Sequence, residues 1–243
     1  MGDCRRAKHY SSSRSTSCLQ RNEPRLERGD RTLTSRTIAN HLLNIKAVTL
    51  SPAKPYTWSS GLKSPIYCDN RLTLSYPHIR NEIAEGLVAM IREAAPDADI
   101  IAGTATAGIP HAAFVAEKLQ LPMIYVRSSA KGHGKQNAIE GHLPSGSKVV
   151  VIEDLISTGG SSIAAAEALR AAGAEVLLVA AIFSYQLSQS DENFNGAKLP
   201  VRVLTTYATL VEEAQKRGAI TSEEQAKLEA WRKNPKDEAW MNL

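Results

Sequence analysis

Residues 149–162 read VVVIEDLISTGGSS, and this stretch decides the fold. A β-branched apolar run, Val149 to Ile152, leads into two adjacent carboxylates, Glu153 and Asp154. After Leu155 and Ile156 comes a turn of hydroxyls and glycines (Ser157, Thr158, Gly159, Gly160, Ser161, Ser162), and an alanine-rich helix is predicted over 163–172. A strand feeding a glycine turn that opens a helix gathers backbone N–H groups at the positive end of the helix dipole. That arrangement binds anions. Paired acids beside it are out of place if phosphate is the whole ligand. They fit a ligand that also carries sugar hydroxyls, which donate to carboxylates, or a divalent metal. The stretch therefore points to a sugar phosphate. Serine and threonine also cap helices, but a plain cap needs neither two acids nor two glycines. Two other phosphate motifs are excluded: there is no Gly-Lys-Ser/Thr, and no G-x-G-x-x-G follows a strand.

Outward from this stretch, strands and helices alternate. Residues 35–48 place Ile38, Leu42, Ile45 and Val48 at helical spacing, and 59–69 read as a short extended segment broken by Gly61 and Pro65. A helix opening on Pro77 and running to 95 keeps Ile79, Ile83, Leu87, Met90 and Ile91 on one side. A strand at 100–102, a helix at 109–119 and a strand at 123–126 precede a long polar loop, 127–147. The last clear strand is 176–183, whose eight apolar residues are too few to span a membrane. This alternation predicts an α/β fold, a parallel sheet covered on both faces, with ligands at the carboxyl ends of its strands.

Composition sets further bounds. The chain of 243 residues is long enough for one substantial domain. Cys4, Cys18 and Cys68 show no paired spacing, so no zinc site or disulfide framework is indicated and a reducing, cytoplasmic setting is expected. The net charge of +4 comes from residues 1–34, which hold eight Lys/Arg against four Asp/Glu. The rest is neutral, which argues against nucleic acid as a partner of the folded part. Residues 1–34 are expected to be a disordered basic tail. Their Arg/Ser-rich start resembles an organelle transit peptide, although acids appear in the second half; a leader or an upstream start codon are the alternatives.

Three other segments carry candidate chemistry. The loop after 123–126 reads Arg127-Ser-Ser-Ala-Lys131-Gly-His133-Gly-Lys135, with no acid before Glu140. Loops this long are functional or disordered, and this glycine-hinged, cationic one is expected to close on an anion as a lid. Gly103-Thr-Ala-Thr-Ala-Gly108-Ile-Pro110 also opens a helix after a strand. It suits either a second anionic group or close helix–sheet packing, and His111 beside it is expected on the helix surface. Tyr56, Trp58 and Tyr67 could stack on a planar base or pack the core.

Taken together, these motifs resemble the type I phosphoribosyltransferase family, and within it the orotate phosphoribosyltransferases of the bacterial type. Residues 149–162 match the family's phosphoribosyl-diphosphate signature, Tyr125 to Lys135 its catalytic loop, and Gly103 to Pro110 its diphosphate-contacting loop. Trp58-Ser-Ser-Gly-Leu-Lys-Ser-Pro-Ile-Tyr-Cys-Asp-Asn-Arg resembles the orotate enzymes' N-terminal segment, whose stretch 64–69 lines the base pocket. The resemblance implies a parallel sheet flanked by helices, a small hood from the N-terminal segment (about 35–76), a core (about 77–185), a C-terminal segment (186–243) and a flexible catalytic loop. It implies transfer of ribose 5-phosphate from phosphoribosyl diphosphate to orotate with Mg²⁺, by a homodimer that shares the loop between subunits, with no membrane partner.

The implied roles are specific. Ser157, Thr158, Gly159, Gly160 and Ser161 would cradle the 5′-phosphate after Leu155 and Ile156. Glu153 and Asp154 would hold the ribose hydroxyls near a metal that the donor carries and the protein does not bind directly. Arg127, Lys131 and His133 would reach the diphosphate. Lys131, His133 and Asp154 form the catalytic set, and Ser157 also contacts orotate. Two features depart from the family pattern. Ser128 and Ser59 stand where some orotate enzymes have lysine, and Tyr185-Gln186-Leu187 lacks the arginine that several use for the orotate carboxylate. A purine-base phosphoribosyltransferase and a non-catalytic regulator sensing phosphoribosyl diphosphate remain as alternatives.

Overall fold

The apolar run at 149–152 becomes the middle of a sheet. In this computed structural model, residues 34–58, 61–127 and 138–243 are described. The N-terminal part holds α1 (Ser35–Asn44), β1 (Val48–Leu50), β2 (Tyr56–Thr57), β3 (Lys63–Ser64), β4 (Ile66–Cys68) and a 3-10 turn at Asn70–Ser75. Next come α2 (Pro77–Ala94), β5 (Ile100–Thr104), α3 (Gly108–Leu119), β6 (Met123–Val126) and β7 (Ile139–Glu140). They lead to β8 (Lys148–Ile156), α4 (Gly160–Ala171) and β9 (Glu175–Ser184). The chain continues through α5 (Ser188–Gly196), β10 (Val201–Thr206), α6 (Tyr207–Lys216), α7 (Ser222–Lys233) and a 3-10 turn at Glu238–Asn242.

Among the described residues the main sheet has the order β10-β9-β8-β5-β6-β7, parallel except for the edge strand β7. β5 pairs with β6 on one side and β8 on the other, so the chain changes direction across the sheet there. A crevice beyond the carboxyl ends of β5 and β8 is where such sheets bind ligands.

Strand period builds a core on each face. Along β8, Val150 and Ile152 join the cluster with Ile79, Ile83 and Leu87 of α2 and Val115 of α3. Val149 and Val151 join the opposite cluster with Ala165, Ala166 and Leu169 of α4 and Phe194 of α5. Each fully buried Ile, Leu or Val contributes about 1.5–3 kcal/mol. Pro77 opens α2 at its first turn, where its missing N–H costs nothing. α1 packs against α6 and β10 and is tied there by Asn40 Nδ2 donating to Glu213 Oε2 at 3.0 Å.

Several sequence expectations need correction. The first helix stops at Asn44 because Lys46 turns left-handed (φ 57°), and Val48 starts a strand paired with β4. β8 continues through Ile156, so Glu153 and Asp154 belong to the strand, and α4 begins at Gly160, three residues before the expected start at Ile163. The loop predicted over 127–147 is interrupted by β7, which pairs Ile139 and Glu140 with Val126 and Tyr125. The expected tail, 1–34, lies outside the described residues except for Thr34, whose hydroxyl accepts the Thr37 N–H and caps α1. No helix among the described residues is long and apolar enough to cross a membrane.

Candidate active site

The two carboxyl groups meet at the end of the strand. Glu153 follows Val149 and Val151 toward α4 and is buried, and the half-buried Asp154 shares a hydrogen bond with it, carboxyl to carboxyl. Glu153 Oε2 accepts from Ser161 Oγ at 3.0 Å and Ser162 Oγ at 3.2 Å, and Oε1 accepts from the Asp154 N–H at 3.0 Å. Both of its oxygens are thus engaged, and they fasten the strand end to the first turn of α4. Burial, reinforced by Asp154 alongside, pushes the Glu153 carboxyl up to about 8. Burial also raises Asp154. The hood fixes Asp154 from behind, where buried Asn70 donates from Nδ2 to the Asp154 carbonyl at 2.7 Å.

The turn itself argues against a plain capped helix. The residue before α4 is Gly159 in the left-handed region (φ 83°), and no side chain caps the helix. Ser161 and Ser162, already inside the first turn, donate to Glu153 instead. A methyl on Gly159 would lie 2.5 Å from Phe194 Cε2, so that glycine is required by both conformation and packing. Gly160 differs: a methyl there would meet nothing nearer than Thr158 Oγ1 at 4.0 Å. Its N–H stands with that of exposed Ser161 at an uncapped helix start facing open space.

The glycines of the loop after β5 have a packing reason. A methyl on Gly108 would lie 2.5 Å from the Ile152 carbonyl oxygen, and one on Gly103 would lie 2.8 Å from the Ile109 Cα. They let α3 press onto the sheet just before Glu153. The loop still edges the crevice: the Ala105 N–H donates to the Val126 carbonyl at 2.9 Å, one residue from Arg127. Arg127 forms an ion pair with Glu140 at 3.1 Å across the β6–β7 hairpin. His111, expected on the helix surface, is buried, and burial pushes its imidazole down to about 4, so it stays neutral.

A cavity of about 510 Å³ opens beside the turn, within the usual range for small-molecule sites. It is lined by Leu155 and Ser157 at the end of β8 and by Tyr56, Thr57, Tyr67 and Cys68 of the hood. Trp58 and Tyr185, stacked at 5.4 Å, complete its wall. Tyr56, Trp58 and Tyr67 therefore all line the cavity and pack, Tyr67 against Tyr56 at 5.6 Å while it stays 46% exposed. Cys68 donates to Asn70 Oδ1 at 3.4 Å, and burial holds its thiol well above the ordinary range, so it is no nucleophile here. A second cavity of about 800 Å³ shares Trp58 and Ser157 and passes Thr158 toward Lys233 and Lys236.

The structure thus gathers Glu153, Asp154, Leu155, Ile156, Ser157, Thr158, Gly159, Gly160 and Ser161 at one sheet edge, with Arg127 two strands away. Lys131, His133, Ser128 and Ser59 lie outside the described residues. Sequence reasoning missed Asn70 and the wall residue Tyr185. Gln186, where the family arginine was sought, uses its Oε1 to accept the Ala208 N–H at 3.0 Å. Asn70 lies within the segment 58–71 that resembles the orotate enzymes but just past the stretch 64–69 assigned to the base pocket, and Tyr185 directly follows an apolar strand at the ligand edge, a signal that could have found it.

The comparisons agree with this geometry. The phosphoribosyl transferase domain family matches residues 75–204. The chain is 62% identical over 206 residues to the orotate phosphoribosyltransferase of Halalkalibacterium halodurans, covering 85% of this chain and 98% of that protein. Among solved structures, the orotate phosphoribosyltransferase of Aeropyrum pernix aligns with a TM-score of 0.66 at 28% identity, over 76% of this chain and 99% of that one. The UMP synthase of Leishmania donovani aligns with a TM-score of 0.71 at 31% identity, over 82% of this chain, which spans 42% of that longer one. With a sheet whose strand order reverses at β5 and an orotate phosphoribosyltransferase matched at 62% identity over 98% of its length, the chain belongs to the orotate phosphoribosyltransferase family.

Proposed function

We propose that the chain transfers ribose 5-phosphate from phosphoribosyl diphosphate to a ring nitrogen of orotate, a glycosyl transfer of pyrimidine nucleotide (UMP) biosynthesis. The products are orotidine 5′-monophosphate and diphosphate. One observation carries the reading: an uncapped helix start with open space over Gly160 adjoins paired carboxylates on one side and an aromatic cavity on the other. Phosphate, sugar and base each find their chemistry within one strand end.

The assigned roles follow that order. The N–H groups and hydroxyls of Ser157 to Ser161 hold the 5′-phosphate. Asp154, half-buried beside Glu153, accepts from the ribose hydroxyls and offsets the positive charge that develops on the sugar as its bond to diphosphate breaks. Glu153 keeps the turn in place through Ser161 and Ser162. Arg127, Lys131 and His133 are assigned to the diphosphate, with Lys131 as the principal catalytic residue stabilising the leaving group. Orotate lies in the cavity over Ser157, between Tyr67 and the Trp58–Tyr185 wall.

Among the described residues no group of three or more His, Cys, Asp or Glu could hold a metal ion. Asp154 and the crevice suit an ion that arrives on the donor. Mg²⁺ bound in that way supplies positive charge at the diphosphate. A homodimer is proposed as the working form, in keeping with the exposed Leu72 and Tyr76 of the hood.

The test is a spectroscopic assay of orotate consumption with phosphoribosyl diphosphate and Mg²⁺, run beside hypoxanthine, guanine and adenine. Consumption of orotate alone is expected. Turnover of a purine with orotate untouched would overturn the acceptor assignment.

A further inference from the structure

We propose that Trp231, near the end of the chain, is a positioning residue for the acceptor base, acting through the aromatic wall of the cavity and the hood hairpin. The proposal rests on the acceptor reading above. The helix that carries it, α7, is polar, and only Leu228 and Trp231 are buried along it. Trp231 is fully buried and does not line the cavity itself. It stands behind the residues that do. Its ring meets Trp58 edge-on at 5.7 Å and Tyr185 edge-on at 6.0 Å, and lies tilted against Tyr207 at 5.7 Å. Its Nε1 donates to the Lys63 carbonyl at 3.0 Å.

Those partners set the cavity's shape. Trp58 and Tyr185 are its stacked wall. Lys63 belongs to β3, which pairs with Tyr56 and Thr57 of β2, two further lining residues. That hairpin has two residues per strand, too few to hold itself in water, so its position is set from outside. One indole thus fixes both sides of the base site: edge contacts steady the wall, and a hydrogen bond steadies the hairpin. The donor turn at 157–161 has no ring contact or hydrogen bond to Trp231 among the described residues. Loss of Trp231 should therefore act on the acceptor side.

The experiment measures steady-state kinetics of the full chain for wild type, Trp231→Phe, Trp231→Leu and Trp240→Leu, with melting temperatures. Trp240 is the control, a buried tryptophan of the same segment with no ring contact to Trp58 or Tyr185 among the described residues. Trp231→Phe keeps the ring edges and loses the N–H, so the KM for orotate should rise about 2- to 10-fold, the range for one net hydrogen bond. Trp231→Leu should raise it at least about tenfold, more than Trp231→Phe, with the KM for phosphoribosyl diphosphate within about twofold of wild type. Trp240→Leu should lower the melting temperature and leave the orotate KM alone. An unchanged orotate KM in both Trp231 variants overturns the proposal, as does a parallel rise in both substrates' KM. If Trp231→Leu fails to fold, the Trp231→Phe ratio decides. A wild type that consumes no orotate would instead sink the acceptor reading itself.

Discussion

Gly160→Ala separates what the fold needs from what the ligand needs. Gly160 begins α4, its backbone lies outside the left-handed region, and a methyl would meet nothing nearer than Thr158 Oγ1 at 4.0 Å. Alanine is the better helix residue and also loses less backbone freedom on folding. The variant should gain a few tenths to about 1 kcal/mol, which for a domain of this size is a rise of up to about 4 °C in melting temperature. The bound state reverses the sign. A helical Cα–Cβ bond tilts toward the helix N-terminus, so the methyl enters the space in front of the converging N–H groups. A phosphate oxygen bonded there sits about 2.9 Å from its donor nitrogen and would be crowded by that methyl. Donor affinity should fall at least tenfold, about 1.4 kcal/mol. Thermal melts without ligand, and the KM for phosphoribosyl diphosphate at saturating orotate, read the two halves separately. A variant with unchanged or raised melting temperature and wild-type donor KM would refute the reasoning, because the space over Gly160 would then not be the phosphate seat.

Further predictions concern the carboxylates, the packing beneath them and the catalytic loop. Burial raises the Glu153 carboxyl from an ordinary 4.5 to about 8, so the folded chain holds that proton more tightly than the unfolded one. The group's contribution is therefore complete below about pH 4.5 and is lost as pH rises to about 8. Denaturant unfolding at about pH 5 and pH 8.5 should show wild-type stability falling relative to Glu153→Gln; a pH-independent difference would contradict this. Gly108→Ala puts a methyl 2.5 Å from the Ile152 carbonyl oxygen, where only backbone can yield. It should cost at least roughly 1–3 kcal/mol, and an unchanged melting temperature would show that α3 can move freely. Lys131→Ala should lower turnover by about 10²–10³, the scale for losing one transition-state donor; wild-type turnover would remove Lys131 from the mechanism.

What the sequence revealed was whatever one element encodes alone. Residues 149–162 carry an apolar strand, two acids and a glycine turn in succession, and each signal is local. The period of α2 from Ile79 to Ile91 is equally local, and its helix runs as expected to Ala94. Contacts distant in sequence were hidden. Asn70 reaches the Asp154 carbonyl across 84 positions, and Trp231 reaches Lys63 across 168. Nothing near either residue marks the partner. His111, expected on the helix surface, is buried because the close approach at Gly103 and Gly108 lets α3 lie tightly on the sheet. The polar α7 reads as a surface helix, yet its capping box, Thr221 with Glu224, was visible as T-x-x-E and could have located it. β7 was hidden because two residues give no period.

The account stands on the donor seat at the carboxyl end of β8, and isothermal titration of wild-type protein with phosphoribosyl diphosphate and Mg²⁺ tests it most directly. Saturable heat is predicted, with affinity reduced by Gly160→Ala and by Asp154→Asn. A flat titration of folded protein, or binding indifferent to both substitutions, would contradict the account.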